Sequence, residues 1–201
     1  MIIVFDLSGV FFNKNLKVSF KKISKKYDLN PKKVEFVLNG SFSREYRTGL
    51  TKPKDYWKKV KKYLKVERIE EIRKILFDSY YPSKRAVELI KKLRMEKAQV
   101  AFLSNGPKDR MKYLDKKFKF IRLFDFGLFS FEAGICKPDK RIYEKFLEKF
   151  KLKSTGVTYI DDKKKNLRPA KELGMKTILF KDIKQLKRNI ARTNKNSNLI
   201  S

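Results

Sequence analysis

Residues 1–12 read MIIVFDLSGVFF, in which five apolar residues lead into a single acid, Asp6. A short apolar run rich in branched and aromatic residues is typical of a buried β-strand. The turn residues Ser8 and Gly9 follow the acid, so Asp6 is expected where the strand leaves the core. This stretch raises two questions: what a lone carboxylate does there, and why Ser8 stands two residues further on.

Three other short apolar runs lie among polar loops: 100–105 (VAFLSN) ends in Ser104-Asn105, 158–160 is followed by Asp161-Asp162, and 176–180 (KTILF) follows the turn at 173–175. A further candidate strand is 124–131 (FDFGLFSF). Apolar residues at helical spacing lie between them. This alternation favours an α/β fold with a doubly wound, Rossmann-like parallel sheet. Ligands of such sheets gather outside the carboxyl ends of the strands. The pattern therefore predicts that Asp6, Ser104 and the Asp161-Asp162 pair meet there.

Residues 13–81 interrupt the alternation with consecutive helical patterns, including 16–27 and a new helix that starts at Asn30-Pro31. We therefore expect a core of residues 1–12 and 82–190, with a small helical cap of residues 13–81 inserted after the first strand. The polar residues 191–201 are expected to form a flexible tail.

Two features of the predicted cap bear on function. Arg44, Tyr46 and Arg47 lie in one polar stretch, for which an ordinary interhelical loop on a basic surface is the favoured interpretation; the alternative is that they face the entrance of the site and select the substrate. Trp57 is expected to pack between cap helices.

Composition restricts the function. The chain has 52 Lys and Arg against 22 Asp and Glu, a net charge of +30, spread over nearly every segment. This charge favours an anionic substrate, and a nucleic-acid-binding role is a less favoured alternative. The absence of His excludes Ser-His-Asp hydrolysis and histidine metal sites. No signal peptide or membrane span is recognisable, and the chain has one Cys. A cytoplasmic location is therefore expected, with no membrane partner. Nothing in the sequence specifies an oligomeric state.

The polar residues at the predicted strand ends suit one kind of chemistry. Three carboxylates, Asp6, Asp161 and Asp162, form a hard oxygen site for Mg²⁺. Lys137 adds positive charge, and the turn at 104–106 (Ser-Asn-Gly) offers hydroxyl, amide and backbone N–H donors to an oxyanion. Together these groups suit phosphoryl transfer with an Asp nucleophile. Glycoside hydrolysis also uses two carboxylates but needs no Lys and no metal, and the chain has no Walker loop or dinucleotide glycine fingerprint.

With these residues in order, the chain resembles a haloacid dehalogenase superfamily hydrolase. FDLSGV resembles the first motif, FLSNG the second, GICKPDKRIY the third and YIDDKKKNLRPAKELGMKTI the fourth. The resemblance covers residues 1 to about 182, and the inserted cap falls between the first two motifs, as the first type of cap in this superfamily does. SFEAGICKPDKRIY and the IDD ending look most like the branch of small sugar-phosphate phosphatases.

The resemblance implies a role for each matching residue. Asp6 would be the nucleophile that becomes an aspartyl phosphate, and Ser104 and Lys137 would complete the catalytic set. Asn105 and Gly106, with Ser8, would contact the substrate. The metal ligands would be the side chains of Asp6 and Asp162, the Ser8 carbonyl, and Asp161 directly or through water. Asn166 stands where many relatives have another acid.

Ser8 departs from the resemblance, because most phosphatases of this kind have an Asp there that protonates the leaving group. Losing a general acid–base group costs about 10²- to 10⁴-fold in rate. The expectation is therefore a Mg²⁺-dependent phosphatase for a small phosphate with a good leaving group, such as an anomeric sugar phosphate or an acyl phosphate. The alternatives are a catalytically weak or idle relative that binds polyanions, and, less favoured because of Asp161-Asp162, a 2-haloacid dehalogenase.

Overall fold

The computed structural model describes residues 1–197. It contains seven strands: β1 (Ile2–Phe5), β2 (Phe12–Lys14), β3 (Tyr80–Pro82), β4 (Gln99–Ser104), β5 (Phe126–Phe129), β6 (Val157–Asp161) and β7 (Lys176–Leu179). The helices of the cap are α1 (Leu16–Tyr27), α2 (Pro31–Asn39), α3 (Arg44–Thr48), α4 (Pro53–Leu64) and α5 (Ile69–Asp78). Those of the core are α6 (Lys84–Met95), α7 (Lys108–Phe118), α8 (Ser130–Ala133), α9 (Lys140–Lys149), α10 (Lys164–Glu172) and α11 (Ile183–Ser197).

Five parallel strands form the central sheet in the order β5-β4-β1-β6-β7. Strand β1 is central, and its last residue, Phe5, pairs with Phe102 of β4 on one side and Ile160 of β6 on the other. The next residue, Asp6, donates its backbone N–H to the carbonyl of Ile160 at 2.8 Å. The carboxyl ends of β1, β4 and β6 therefore lie side by side, as the alternating pattern predicts, and the predicted α/β fold is confirmed.

Side chains of β1 alternate between two apolar layers, because successive residues of a strand point to opposite faces of the sheet. Ile3 and Phe5 pack with residues of α6, α7 and α11. Val4 packs on the other face with residues of α9 and α10. The sheet is thus covered by helices on both faces, which explains why its strands are continuous apolar runs.

The cap forms a separate apolar cluster from residues of α1 to α5, with Trp57 and Val60 among its buried members. Helix α2 begins as predicted: Asn30 accepts from the backbone N–H of Lys32 at 2.9 Å, and Pro31 takes the first helical position.

Cap and core are joined by an antiparallel ribbon of β2 and β3, in which Asn13 pairs with Tyr81. The predicted boundaries at residues 13 and 81 both fall on this pair. The ribbon itself was not predicted, because each of its strands has only three residues.

Two sequence expectations need correction or restriction. The strand expected over residues 124–131 covers only Phe126–Phe129, because Ser130 starts α8. In the predicted tail, residues 191–197 continue α11, and residues 198–201 lie outside the described part of the chain. Within residues 1–197, no helix is both long enough and apolar enough to cross a membrane.

Candidate active site

The Lys137 ammonium group is buried at the carboxyl ends of the central strands. Its Nζ lies 2.7 Å from Asp6 Oδ1 and 2.9 Å from Asp161 Oδ2. It also donates to the carbonyl of Leu103 and the hydroxyl of Tyr159, both at 2.7 Å. A buried cation is tolerated only when paired and fully hydrogen-bonded, and these acceptors meet that condition. The structure thus brings together the predicted nucleophile and the predicted Lys.

Burial and neighbouring charge act in opposite directions on the acids of this cluster. Burial raises the pKa of Asp6 to about 6; the positive charge of Lys137 opposes that shift, while Asp161 and Asp162 add to it. Burial also raises the pKa of Asp161, but Lys137 and donated hydrogen bonds outweigh it, so the pKa of Asp161 lies below its usual value. Burial alone would lower the pKa of Lys137, and the two carboxylates raise it. The ammonium group therefore keeps its charge.

Both carboxylate oxygens of Asp161 are already engaged by protein donors. Oδ1 accepts from the backbone N–H of Lys163 and the amide of Asn166, each at 2.9 Å. Oδ2 accepts from Lys137 and from the Tyr159 hydroxyl. Asp161 is fully buried. This arrangement suits a residue that holds Lys137 in place and contacts a metal ion through a water molecule. It suits a direct metal ligand less well.

The side chain of Asp162 has one free acceptor. Its Oδ1 is buried without a hydrogen-bond partner among the described residues, and its Oδ2 is 3.1 Å from the Lys14 ammonium group. The same ammonium group donates to the Ser8 carbonyl at 2.8 Å. Carboxylate oxygens of Asp6, Asp161 and Asp162 all lie within 4.8 Å of one another. An orphaned acceptor within a cluster of hard oxygens fits a Mg²⁺ ion, and Lys14, which the sequence did not single out, provides positive charge beside it.

Gly9 allows this close arrangement. Its φ is +107°, and a Cβ atom there would lie 2.4 Å from Asp162 Oδ2 and 2.8 Å from Lys14 Nζ. The turn after β1 therefore requires glycine for both its conformation and its lack of a side chain.

The turn after β4 places the predicted oxyanion-binding residues beside Lys137. Ser104 is fully buried, and its Oγ has no partner among the described residues. The amide of Asn105 donates to the carbonyl of Lys137 and accepts from its N–H, both at 2.8 Å. That side chain therefore links two turns, and Asn105 also lines the cavity described next. Gly106 is buried against Met111 and does not line the cavity described next.

A cavity of about 80 Å³ lies between the cap and the strand ends. Tyr46 and Arg47 of the cap line it, whereas Arg44 is exposed. Asp6 is the only acid among its described lining residues, and the basic ones are Lys14, Arg47, Arg110, Lys137 and Lys163. Such a lining attracts anions.

One carboxylate at the start of α7 holds the cap over this cavity. Asp109 accepts from the Tyr46 hydroxyl and, at 2.9 Å, from Trp57 Nε1, and it forms an ion pair with Arg73 at 3.4 Å. These three donors come from α3, α4 and α5. Trp57 packs between cap helices as predicted and also contacts the core.

Comparison with solved structures supports this fold. A crystal structure of a haloacid dehalogenase family enzyme from Bacteroides thetaiotaomicron, in complex with magnesium and inorganic phosphate, is similar with a TM-score of 0.76 and 25% identity, over 90% of this chain and 93% of that one. The L-2-haloacid dehalogenase from Xanthobacter autotrophicus, with chloropropionic acid covalently bound, has a TM-score of 0.63 at 15% identity, over 88% and 75% of the two chains. The second similarity is one of fold alone.

Sequence comparison leads to the same family. Bifunctional epoxide hydrolase 2 from Rattus norvegicus is 42% identical over 59 residues, which are 29% of this chain and 11% of that protein. The chain thus matches about a tenth of that relative. The family model of haloacid dehalogenase-like hydrolases matches residues 3–180. Since this match spans most of the sequence, the chain belongs to the haloacid dehalogenase-like hydrolase family.

Proposed function

We propose that the protein is a Mg²⁺-dependent phosphatase that hydrolyses a small phosphorylated metabolite through an aspartyl-phosphate intermediate on Asp6. One observation carries the proposal: Asp6 lies in a basic cavity, is bonded to Lys137, and lies within a cluster of three acids. Acids this close repel one another unless a cation is present, and a phosphoryl group needs the same neutralising charge.

The residues of the site support each part of this reaction. Lys137 holds Asp6 Oδ1, which leaves the other carboxylate oxygen to attack phosphorus. That attack forms the aspartyl phosphate and breaks the bond to the leaving oxygen; water then releases phosphate and regenerates Asp6. Asp6, Asp162 and the Ser8 carbonyl would hold Mg²⁺, which when bound supplies charge neutralisation at the phosphoryl oxygens.

Ser8 restricts the leaving group. Its hydroxyl is buried without a partner among the described residues, and a hydroxyl is a poor proton donor at neutral pH. A leaving group that departs without a proton avoids this deficit. Between acyl phosphates and anomeric sugar phosphates, the cavity of about 80 Å³ favours the smaller acyl phosphates.

The test is phosphate release from acetyl phosphate, α-glucose 1-phosphate, glucose 6-phosphate and p-nitrophenyl phosphate, with and without Mg²⁺. Asp6→Asn is compared with Asp55→Asn, which changes an exposed acid of α4. We expect turnover of acetyl phosphate that chelator and Asp6→Asn abolish and Asp55→Asn leaves intact. No release from any substrate by folded protein would refute the proposal and favour the idle, polyanion-binding alternative, which salt-dependent RNA titration would then test.

A further inference from the structure

The guanidinium groups of Arg47 and Arg110 line the cavity without a carboxylate partner. Arg110 of α7 is 7% exposed, and Arg47 of α3 is half-buried. Neither forms an ion pair with an acid among residues 1–197, where the nearby acids Asp109 and Asp6 pair with other residues. The Nε atoms of both are buried without a hydrogen-bond partner.

Their remaining contacts are neutral. Arg110 donates to the Tyr80 hydroxyl at 3.0 Å, and its guanidinium carbon is 4.5 Å from the centre of the Tyr80 ring. Arg47 donates to the carbonyls of Asn39 and Gly40, both at 3.3 Å. These groups hold the two guanidinium groups in place but do not neutralise their charges.

The acids near these two arginines already have other partners. Asp109, next to Arg110 in sequence, is occupied by Tyr46, Trp57 and Arg73. Asp6 is paired with Lys137. Burial lowers the pKa of Arg47, and the charge of Arg110 lowers it further, so the two arginines act on each other as like charges.

Two like charges beside this cavity, each with a buried Nε that lacks a hydrogen-bond acceptor, destabilise the free protein. The uncompensated burial of an ion destabilises a fold, whereas an anion placed between two guanidinium groups would relieve both the repulsion and the missing hydrogen bonds. Such costly arrangements cluster at ligand sites.

We propose that Arg47 and Arg110 bind a second anionic group of the substrate, a carboxylate or a second phosphate, while its transferred phosphoryl group lies at Asp6. This inference rests on the proposed phosphatase function and narrows its substrate to small phosphorylated compounds that carry another negative charge. The cavity of about 80 Å³ is far smaller than the roughly 300–1,000 Å³ of typical ligand pockets, so the two anionic groups are separated by only a short linker.

The test compares the binding of two non-hydrolysable probes by calorimetry in Mg²⁺. Phosphonoacetate carries a phosphonate and a carboxylate, and ethylphosphonate replaces that carboxylate with a methyl group. We expect the protein to bind phosphonoacetate at least about tenfold more tightly, because the carboxylate gains charge-assisted hydrogen bonds. Arg110→Met and Arg47→Met should each remove most of this preference and leave ethylphosphonate binding within about twofold, while Arg188→Met, at an exposed position of α11, should change neither.

Three results would overturn the inference. One is equal affinity of the wild-type protein for the two probes, a result that does not depend on whether any variant folds. Another is a loss of ethylphosphonate binding in the arginine variants, which would place these residues at the phosphoryl group. The third is an absence of binding by either probe. Asp6-dependent phosphate release is measured separately, so the second-anion site can fail while the phosphatase function stands.

Discussion

The ammonium group of Lys14 lies 3.1 Å from the carboxylate of Asp162, and it also bonds to the Ser8 carbonyl at 2.8 Å. The carboxylate of Asp162 and the carbonyl of Ser8 both belong to the set that would hold Mg²⁺. Lys14 lies on β2, so a residue of the cap–core ribbon occupies two acceptors of the candidate metal site.

Replacing Lys14 with Met should therefore tighten Mg²⁺ binding. The change removes a cation that competes for Asp162 and Ser8, and a partly exposed ion pair is worth up to about 1 kcal/mol, or roughly fivefold in affinity. Calorimetric titration of the metal-free protein measures the dissociation constant. Lys17→Met, at an exposed position of α1, is the control. Weaker Mg²⁺ binding by the Lys14 variant would show that the two cations do not compete.

Replacing Ser8 with Asp should restore the missing proton donor. For glucose 6-phosphate, whose leaving group needs a proton, we expect kcat to rise by about 10²- to 10⁴-fold. Acetyl phosphate should gain much less, because its leaving group departs as a carboxylate. Ser8→Asn, which has a similar shape but cannot donate a proton in this way, is the matched control. An equal gain on both substrates would exclude this account of the leaving group.

Replacing Asp6 with Asn should remove a pH-dependent loss of stability from the metal-free protein. Burial raises the pKa of Asp6 to about 6, above its ordinary value of 3.8, so the folded state binds a proton more tightly than the unfolded chain does. Stability from this group is present below about pH 4 and is lost as the pH rises through 6, by up to about 3 kcal/mol.

We therefore expect the difference in unfolding free energy between Asp6→Asn and the wild type to grow in favour of the variant from pH 4.5 to 7.5. Denaturant unfolding in the presence of chelator measures it. A difference that stays constant over this range would show that Asp6 titrates normally.

Replacing Tyr159 with Phe should weaken the cluster around Lys137. The hydroxyl accepts from Lys137 at 2.7 Å and donates to Asp161, and both partners are buried. Loss of a buried hydrogen-bonding group costs about 1–3 kcal/mol. Denaturant unfolding should detect this loss, whereas Tyr63→Phe, on an exposed tyrosine of α4, should have no effect. Unchanged stability would mean that water replaces the hydroxyl.

The sequence predicted the parts of the fold that depend on local patterns. The strand that leads to Asp6 and the Asn30-Pro31 helix start are marked by apolar runs and by capping residues, which act over a few positions. The strand at 124–131 was predicted too long because Phe131 continues its aromatic pattern, although the helix already begins at Ser130.

Several residues of the candidate site have no such local signal. Lys14 and Arg110 are two of 52 basic residues and look like surface charge in the sequence. Only the ribbon brings Lys14 to Asp162, and only the packing of α7 under the cap buries Arg110. Tyr159 resembles any aromatic residue of a buried strand until Lys137, distant in sequence, is placed against its hydroxyl. These contacts depend on tertiary structure and not on sequence spacing.

The pairing of Asn13 with Tyr81 means that the cap leaves and rejoins the core at neighbouring backbone positions. With respect to chain connectivity, the whole cap is a single insertion in the core that is closed by a short two-stranded ribbon. Doubling the length of a flexible loop adds only about 0.6 kcal/mol to the entropic cost of closing it. The strand ends that carry Asp6, Ser104 and Asp161 are therefore largely insulated from the length of the segment above them. A different helical segment grafted onto the same stem would change which molecules can enter while the sheet beneath keeps its register.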